Sequence, residues 1–190
     1  LPGIKQPEPA DVMRGEETQI AGFLKQTPDY NGLICLPGTH SKWVHVQNGQ
    51  VIEFQTIMTG ELYDLLSRSS VLKHSVSGDG FSQSDFVDAV KSAFENPADA
   101  SSQLFRLRAQ HLVHDTGATV LRARLSGVLI GQEAAAMQRQ WNHLPITLIG
   151  EEALCSLYKS ALEAVGTSVD LNLSAAPTLR GLIAIRTGKG

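Results

Sequence analysis

Apolar residues change their spacing several times along the chain, and each change marks a predicted element. Residues 1–12 carry prolines at 2, 7 and 9, which exclude helix and predict an extended arm. From Glu16 to Lys25 the positions Ile20, Ala21, Phe23 and Leu24 recur at helical spacing. Glu16 and Glu17 fall in the first turn, where carboxylates favour the helix dipole. The turn cluster Thr27-Pro28-Asp29-Tyr30-Asn31-Gly32 closes this helix. Leu33-Ile34-Cys35-Leu36 reads as a short buried strand, interrupted by Pro37-Gly38-Thr39-His40. Alternation resumes from Lys42 to Gln47, and Asn48-Gly49 signals a tight hairpin. Val51 to Met58 alternates again, with Ile52, Phe54 and Thr56 on one face. Three consecutive antiparallel strands are predicted.

Helical spacing then takes over. Gly60 to Ser69 predicts a helix with Leu62, Leu65 and Leu66 on one side, followed by a Gly/Ser loop from Ser75 to Ser82. Ser84 is expected to cap a helix bearing Phe86, Val87, Val90 and Phe94, ended by Asn96-Pro97. Gln103 to Val113 and Thr119 to Arg139 predict two more helices. Pro145 to Ile149 reads as a strand, Glu151 to Val165 as a helix closed by Gly166, Val169 to Leu173 as a last strand and Thr178 to Arg186 as a terminal helix. After the arm the order is α, βββ, a helical block, then β-α-β-α. That order predicts an α/β domain of the ribonuclease H-like class, with a helical insertion. Two such domains face to face make the actin-like ATPase and sugar-kinase architecture. The expected organisation is an arm and junction helix over residues 1–26, and one domain over 27–190 with its helical block at 84–140.

Composition narrows the function classes. The 190 residues suffice for one core, or one domain plus an arm. A hydrophobic share of 42% with 18% charged residues fits a globular chain rather than a disordered one. A net charge of -3 and a pI near 6.1, with both signs interspersed, argue against a nucleic-acid partner. No apolar run reaches the roughly 18–20 residues needed to cross a bilayer, and no signal peptide opens the chain. A cytoplasmic protein with no membrane partner is expected. Cys35 and Cys155 lie far apart in apolar stretches and read as buried, reduced thiols. The six histidines show no metal-ligand spacing, and no metal site is expected from side chains. The start at Leu1, in a proline-rich linker-like run, predicts a chain cut from something longer.

Four segments carry candidate chemistry. In Leu36-Pro37-Gly38-Thr39-His40-Ser41-Lys42-Trp43, a Gly-Thr turn between strands lets backbone N–H groups approach a phosphate, and Lys42 adds a cation. The competing reading is an ordinary hairpin turn. The second glycine and the Gly-Lys-Ser/Thr ending of a Walker A loop are missing. Met13-Arg14-Gly15-Glu16-Glu17-Thr18-Gln19 places an arginine and two carboxylates at a helix start. A carboxylate there suits proton abstraction from a sugar hydroxyl, and the arginine suits a bound carboxylate. The alternative is a helix start with favourable charges. Thr59-Gly60-Glu61 is a third polar corner or a plain strand-to-helix turn. Ile149-Gly150-Glu151-Glu152 ends a strand and opens a helix, where an adenine or phosphate can rest.

Three of these stretches, Asp11 to Gln19, Pro37 to Val44 and Met58 to Leu62, resemble the signatures of the 2-dehydro-3-deoxygalactonokinase family, in the same order and spacing. Leu125-Ser126-Gly127-Val128-Leu129-Ile130-Gly131 and the Gly150 to Gly166 helix are similar too. The resemblance covers nearly the whole chain. It implies an ATP-dependent kinase of the actin-like superfamily, with ATP and Mg2+ as cofactors. The reaction implied is phosphorylation of 2-dehydro-3-deoxy-D-galactonate to its 6-phosphate in galactonate catabolism. Family chains open with an Asp-Trp-Gly-type strand-turn that holds the ATP phosphates and magnesium, and no such sequence occurs here. The chain therefore matches the C-terminal two-thirds, its missing N-terminal segment is an expected partner, and the segment alone is expected to be inactive. The resemblance assigns Glu16, where related sugar kinases use aspartate, as general base on the 6-hydroxyl, with Glu17 the runner-up. Arg14 would hold substrate or the transferring phosphoryl group. Glu17, Lys42 and Glu61 are expected at the sugar acid, Gly38 and Thr39 at the second phosphate loop with His40 and Lys42 as nearby donors, and Gly150 at the adenosine.

Other readings of the same residues are a non-catalytic nucleotide or sugar-acid binding domain, a structural interaction module and a ribonuclease H-like nuclease. Nuclease chemistry needs carboxylates clustered at strand ends to hold two metals, and Leu33 to Leu36 and Lys42 to Gln47 carry none. The residues leave open whether the galactonate compound or its gluconate epimer is read. They also leave open whether the block from Ser84 to Gln140 covers the domain or meets a second copy of the chain.

Overall fold

The computed structural model describes residues 3–172. The N-terminal arm is extended, as its prolines require, but pairs with itself. Strands β1 (Ile4–Gln6) and β2 (Asp11–Met13) form an antiparallel hairpin. Helix α1 (Glu16–Leu24) follows.

Strands β3 (Gly32–Leu36), β4 (Ser41–Gln47) and β5 (Gln50–Ile57) make the antiparallel meander predicted from alternation. Strand β6 (Ile146–Ile149) joins β3 in parallel, and β7 (Val169–Asn172) joins β6 in parallel. The order β5-β4-β3-β6-β7 is the ribonuclease H-like arrangement. Strand β3 is buried on both faces, which explains its unbroken apolar run. On one face, Ile34, Leu36, Val44, Val46, Phe54 and Ile149 pack against Met13 of β2 and Ile20 and Phe23 of α1. On the other, Trp43, Cys35 and Leu148 are buried, and Ser41 Oγ shares a 2.8 Å hydrogen bond with Tyr158 OH on α7 (Glu152–Ala164). Both cysteines are buried thiols outside any disulfide.

One strand departs from the expected face. A bulge shifts the β4–β5 register, so that His45 faces Glu53 while Val46 faces Val51. Ile52 is the extra residue and is exposed, and Val51 joins Phe54 on the core side instead. The edge strand β5 is also tied to the hairpin. Phe54 N–H donates to Gln6 Oε1 at 2.9 Å, and Thr56 N–H donates to Asp11 Oδ2 at 2.7 Å.

The described residues fall into two compact units. The sheet unit comprises residues 3–57, 143–159 and 168–172; the helical unit comprises 58–142 and 160–167. The helical unit contains α2 (Thr59–Ser69), α3 (Lys73–Val76), α4 (Gln83–Glu95), α5 (Ala100–His114), α6 (Ala118–Gln140) and the end of α7. Its centre is α6, whose Leu121, Leu125 and Leu129 pack with Leu72, Val76 and Leu107. Helices α4 and α6 approach closely at two glycines. A Cβ at Gly127 would stand 2.5 Å from Phe86 O, and one at Gly131 would collide with Val90 O.

Two expectations for these helices are corrected. The N-cap of α4 is Ser82 rather than Ser84, and its hydroxyl donates to Asp85 Oδ2 at 2.5 Å. On α2, Leu62 and Leu65 are exposed, while Thr59 is buried and Tyr63 and Leu66 pack inward. The buried stripe is offset by one position, because Tyr63 offers an apolar body and Thr59 finds a polar partner. Among the described residues no helix is long and apolar enough to cross a membrane. Leu173 and the terminal helix expected at Thr178 to Arg186 lie outside the described residues.

Candidate active site

Gly15 opens α1 with φ +111°, a conformation that L side chains rarely adopt. The chain turns there, and the first-turn carboxylates fold back over the turn. Glu16 Oε2 accepts the Arg14 N–H at 3.0 Å, and Glu17 Oε2 accepts the Gly15 N–H at 2.5 Å. Thr18 Oγ1 donates to Gly15 O at 2.7 Å and closes the turn. Both carboxylates thus lie at the positive end of the helix dipole.

The two acids then differ. Glu16 Oε1 lies 3.5 Å from Lys42 Nζ, with side-chain exposures of 27% for Glu16 and 5% for Lys42. A cation buried to this degree needs an opposite charge, and Glu16 supplies it from a position that solvent or substrate still reaches. Glu17 Oε1 is buried and has no hydrogen-bond partner. The geometry therefore favours Glu16 over Glu17 as the acid that meets a ligand. Arg14 is exposed beside them.

Lys42 sits where the sheet ends. It is paired across the ladder with Leu36 of β3 and Thr56 of β5. Residues 37–40 connect β3 to β4 at this end, with Thr39 and His40 exposed. A Cβ at Gly38 would meet nothing nearer than His40 O at 3.8 Å. The fold itself does not demand glycine there, and the open backbone leaves room for an anion to approach. Because β6 runs parallel to β3, its C-terminal end lies at the same sheet end. A Cβ at Gly150 would lie 3.8 Å from Pro37 O and 3.5 Å from Cys155 Sγ. The sheet unit therefore brings Arg14, Glu16, Glu17, Lys42, the Gly38-Thr39-His40 loop and Gly150 to one region, beyond the carboxyl ends of β3 and β6.

At Gly150 the chemistry is narrower than expected. The Glu151 carboxylate accepts the Ala153 N–H at 3.0 Å and the Leu154 N–H at 2.9 Å. These two bonds hold its carboxyl below the usual carboxylate range. Two donors at the start of α7 are thus already satisfied by an anion of the chain itself, which suits a neutral group there better than a phosphate. Cys155 beside it is unreactive in character: burial, and then the Glu151 charge, push its thiol up to about 11.

Glu61 belongs to the helical unit, in the first turn of α2. Two further acids carry structural weight that the spacing of the sequence did not single out. Asp11 accepts Thr56 Oγ1–H at 2.6 Å as well as the Thr56 N–H, so its carboxylate is committed to holding β2 on β5. Glu133, on α6, is 3% exposed and accepts a hydrogen bond from Thr59 Oγ1. The available signal for Glu133 was a lone acid inside the run Leu129 to Ala136. Among the described residues no three His, Cys, Asp or Glu side chains gather to hold a metal ion.

Residues 1–185 match the model of a family described as 2-keto-3-deoxy-galactonokinase. A Rhizobium meliloti (strain 1021) protein named as a candidate 2-dehydro-3-deoxygalactonokinase is 44% identical over 175 residues, covering 89% of this chain and 57% of that protein. The Escherichia coli (strain K12) 2-dehydro-3-deoxygalactonokinase is 36% identical over 176 residues, covering 89% and 58%. The chain thus spans somewhat more than half the length of these relatives. A crystal structure of a candidate 2-dehydro-3-deoxygalactonokinase from Sinorhizobium meliloti superposes with a TM-score of 0.93 at 40% identity, covering 98% of this chain and 64% of that one. The Acidaminococcus fermentans (R)-2-hydroxyglutaryl-CoA dehydratase component A is similar in fold, with a TM-score of 0.51 at 15% identity and coverage of 89% and 64%.

Proposed function

The chain belongs to the 2-keto-3-deoxy-galactonokinase family, and from that premise we propose that it works in ATP-dependent phosphorylation of 2-dehydro-3-deoxy-D-galactonate at its 6-hydroxyl, in galactonate catabolism in the cytoplasm. The observation that carries this reading is the Glu16–Lys42 pair, set at the start of α1 beside the open Gly38 loop.

Phosphoryl transfer needs position and charge more than covalent help from the protein. Glu16 accepts the proton of the 6-hydroxyl while that oxygen attacks the γ-phosphorus of ATP. The bond from phosphorus to the bridging oxygen breaks, ADP leaves, and the sugar acid carries the phosphate. Lys42 holds the Glu16 carboxylate in place. Arg14 holds the substrate carboxylate or the phosphoryl group in flight. Gly38, Thr39 and His40 border the phosphates, and Gly150 lies against the adenosine. Mg2+, when bound with ATP, would neutralise phosphate charge.

The test is ADP formation by the intact protein with ATP, Mg2+ and 2-dehydro-3-deoxy-D-galactonate, beside the gluconate epimer. Turnover with the galactonate compound alone supports both the kinase and its specificity. Turnover with both keeps the kinase and widens the substrate. Binding of ATP without turnover of either replaces the kinase by a binding domain of the same fold. The expectation that this segment alone is inactive is not borne out by the comparisons, and the same assay on residues 1–190 decides it.

A further inference from the structure

The proposed base and the cation that holds it stand on different elements of the sheet unit, and one carboxylate ties those elements together. Lys42 lies on β4, directly across the ladder from Thr56 of β5. Both side chains project from the face on which Val44 and Phe54 enter the core, because residues two apart on a strand share a face. Glu16 follows β2, which belongs to the separate hairpin. Asp11 bridges the two. Its Oδ1 accepts the Thr56 hydroxyl at 2.6 Å and the Val12 N–H at 2.7 Å, and its Oδ2 accepts the Thr56 N–H at 2.7 Å.

A closed circuit results. It runs from Asp11 through Met13 and the Gly15 turn to Glu16, then to Lys42 Nζ, across the ladder to Thr56, and back to Asp11. Met13, Ile20 and Phe23 also hold this segment to the sheet, but apolar contact is non-directional and leaves the register loose. A carboxylate fixed by three donors sets it. Protection of the sheet edge explains only part of this arrangement. At Phe54 a single bond to Gln6 satisfies the outward N–H, whereas Thr56 engages its hydroxyl as well, on the face and rung of Lys42.

We infer that Asp11 and Thr56 are positioning residues, which hold the Gly15 turn at the rung of Lys42 so that Glu16 meets its cation and the reacting hydroxyl in one geometry. This rests on the kinase reading above, in which Glu16 is the base. Both residues act through Glu16 rather than on the substrate.

The experiment compares Thr56→Val, Thr56→Ser, Asp11→Asn, Gln6→Ala and Glu16→Gln in the intact protein, with Thr56→Val also added to Glu16→Gln. The readouts are kcat, both KM values and melting temperature, on the fraction that elutes like wild type. Thr56→Val and Asp11→Asn are expected to lower kcat by about tenfold and leave both KM values unchanged. Thr56→Ser, which keeps the hydroxyl, is expected to recover the kcat lost in Thr56→Val. Gln6→Ala, which frees the neighbouring edge donor, is expected to keep the wild-type kcat. On Glu16→Gln, the added Thr56→Val is expected to cost nothing further, because its effect passes through the lost carboxylate. An additive loss there overturns the inference, as does a loss in Gln6→Ala equal to that in Thr56→Val. If Glu16→Gln loses turnover while Thr56→Val does not, the inference alone fails. If Glu16→Gln turns over like wild type, the base assignment fails with it. Urea unfolding decides the positioning without any turnover. The coupling between Glu16→Gln and Lys42→Met is expected to fall by about half or more when Thr56→Val is added, and an unchanged coupling overturns the inference.

Discussion

The sheet unit and the helical unit each hold an acid at a helix, and the two settings are opposite. Glu16 is partly exposed and faces a buried cation, whereas Glu133 is itself buried and faces a hydroxyl. A carboxylate within reach of solvent and held by a fixed charge can exchange a proton with a ligand. One enclosed between helices lies out of a ligand's reach and serves the packing around it. Exposure, rather than residue type, separates an acid that a ligand can reach from one that it cannot.

The sharpest way to break this comparison is to neutralise each acid. Glu16→Gln is expected to lower kcat by at least about a hundredfold, on the order of 3 kcal/mol, with ATP affinity nearly unchanged. Glu133→Gln should leave kcat close to wild type. Steady-state kinetics on both variants decide it, and wild-type turnover in Glu16→Gln sinks its assignment as base.

Glycines extend the contrast to stability. Gly131→Ala should destabilise by about 1–3 kcal/mol, because its Cβ has no room against the backbone of α4. Helix propensity alone predicts a gain of roughly 1 kcal/mol, so the sign of the change in urea unfolding is diagnostic. Gly15→Ala meets nothing within 4 Å, and its cost is torsional. About 1–2 kcal/mol is expected, with a loss of turnover as the Glu16 turn relaxes.

The smallest expected effect is on acid stability. Asp85 is held below its ordinary 3.8 by the Ser82 hydroxyl, opposed by burial and aided by Arg124, whose Nη2 lies 2.7 Å from Asp85 Oδ1. Its folded value lies below its unfolded one. Its contribution is therefore present above pH 3.8 and is lost as pH falls through the lower folded value. Melting temperature should drop in that window, and Asp85→Asn should flatten the drop by less than about 1 kcal/mol. An unchanged acid profile in Asp85→Asn refutes it.

Much of the sheet unit was legible because its signals are local. The alternation of Lys42 to Gln47, the Asn48-Gly49 turn and the apolar run of β3 each require only neighbours in sequence. The same holds for the Glu16-Glu17 helix start. The helical unit was harder to read. Leu62 and Leu65 compete with Tyr63 and Leu66 for the inward face, and only packing on α6 decides between them. Ile52 is expelled by a bulge that no alternation rule contains. Glu133 was hidden for a related reason, since its partner Thr59 lies 74 residues away. The Glu16–Lys42 pairing also needed the fold, because sequence supplies two acids and the register of β4 selects one.

The hairpin at the start of the chain has a consequence for the company the protein keeps. Strand β5 is the outer edge of the sheet, and an uncovered edge is a template for another chain's strand. The side chains of Gln6 and Asp11 occupy the outward N–H groups of Phe54 and Thr56. With those donors taken, strand addition at that border is blocked by two residues that never enter the sheet. Removing either would turn a closed margin into an adhesive one, and the first symptom would be aggregation at unchanged fold.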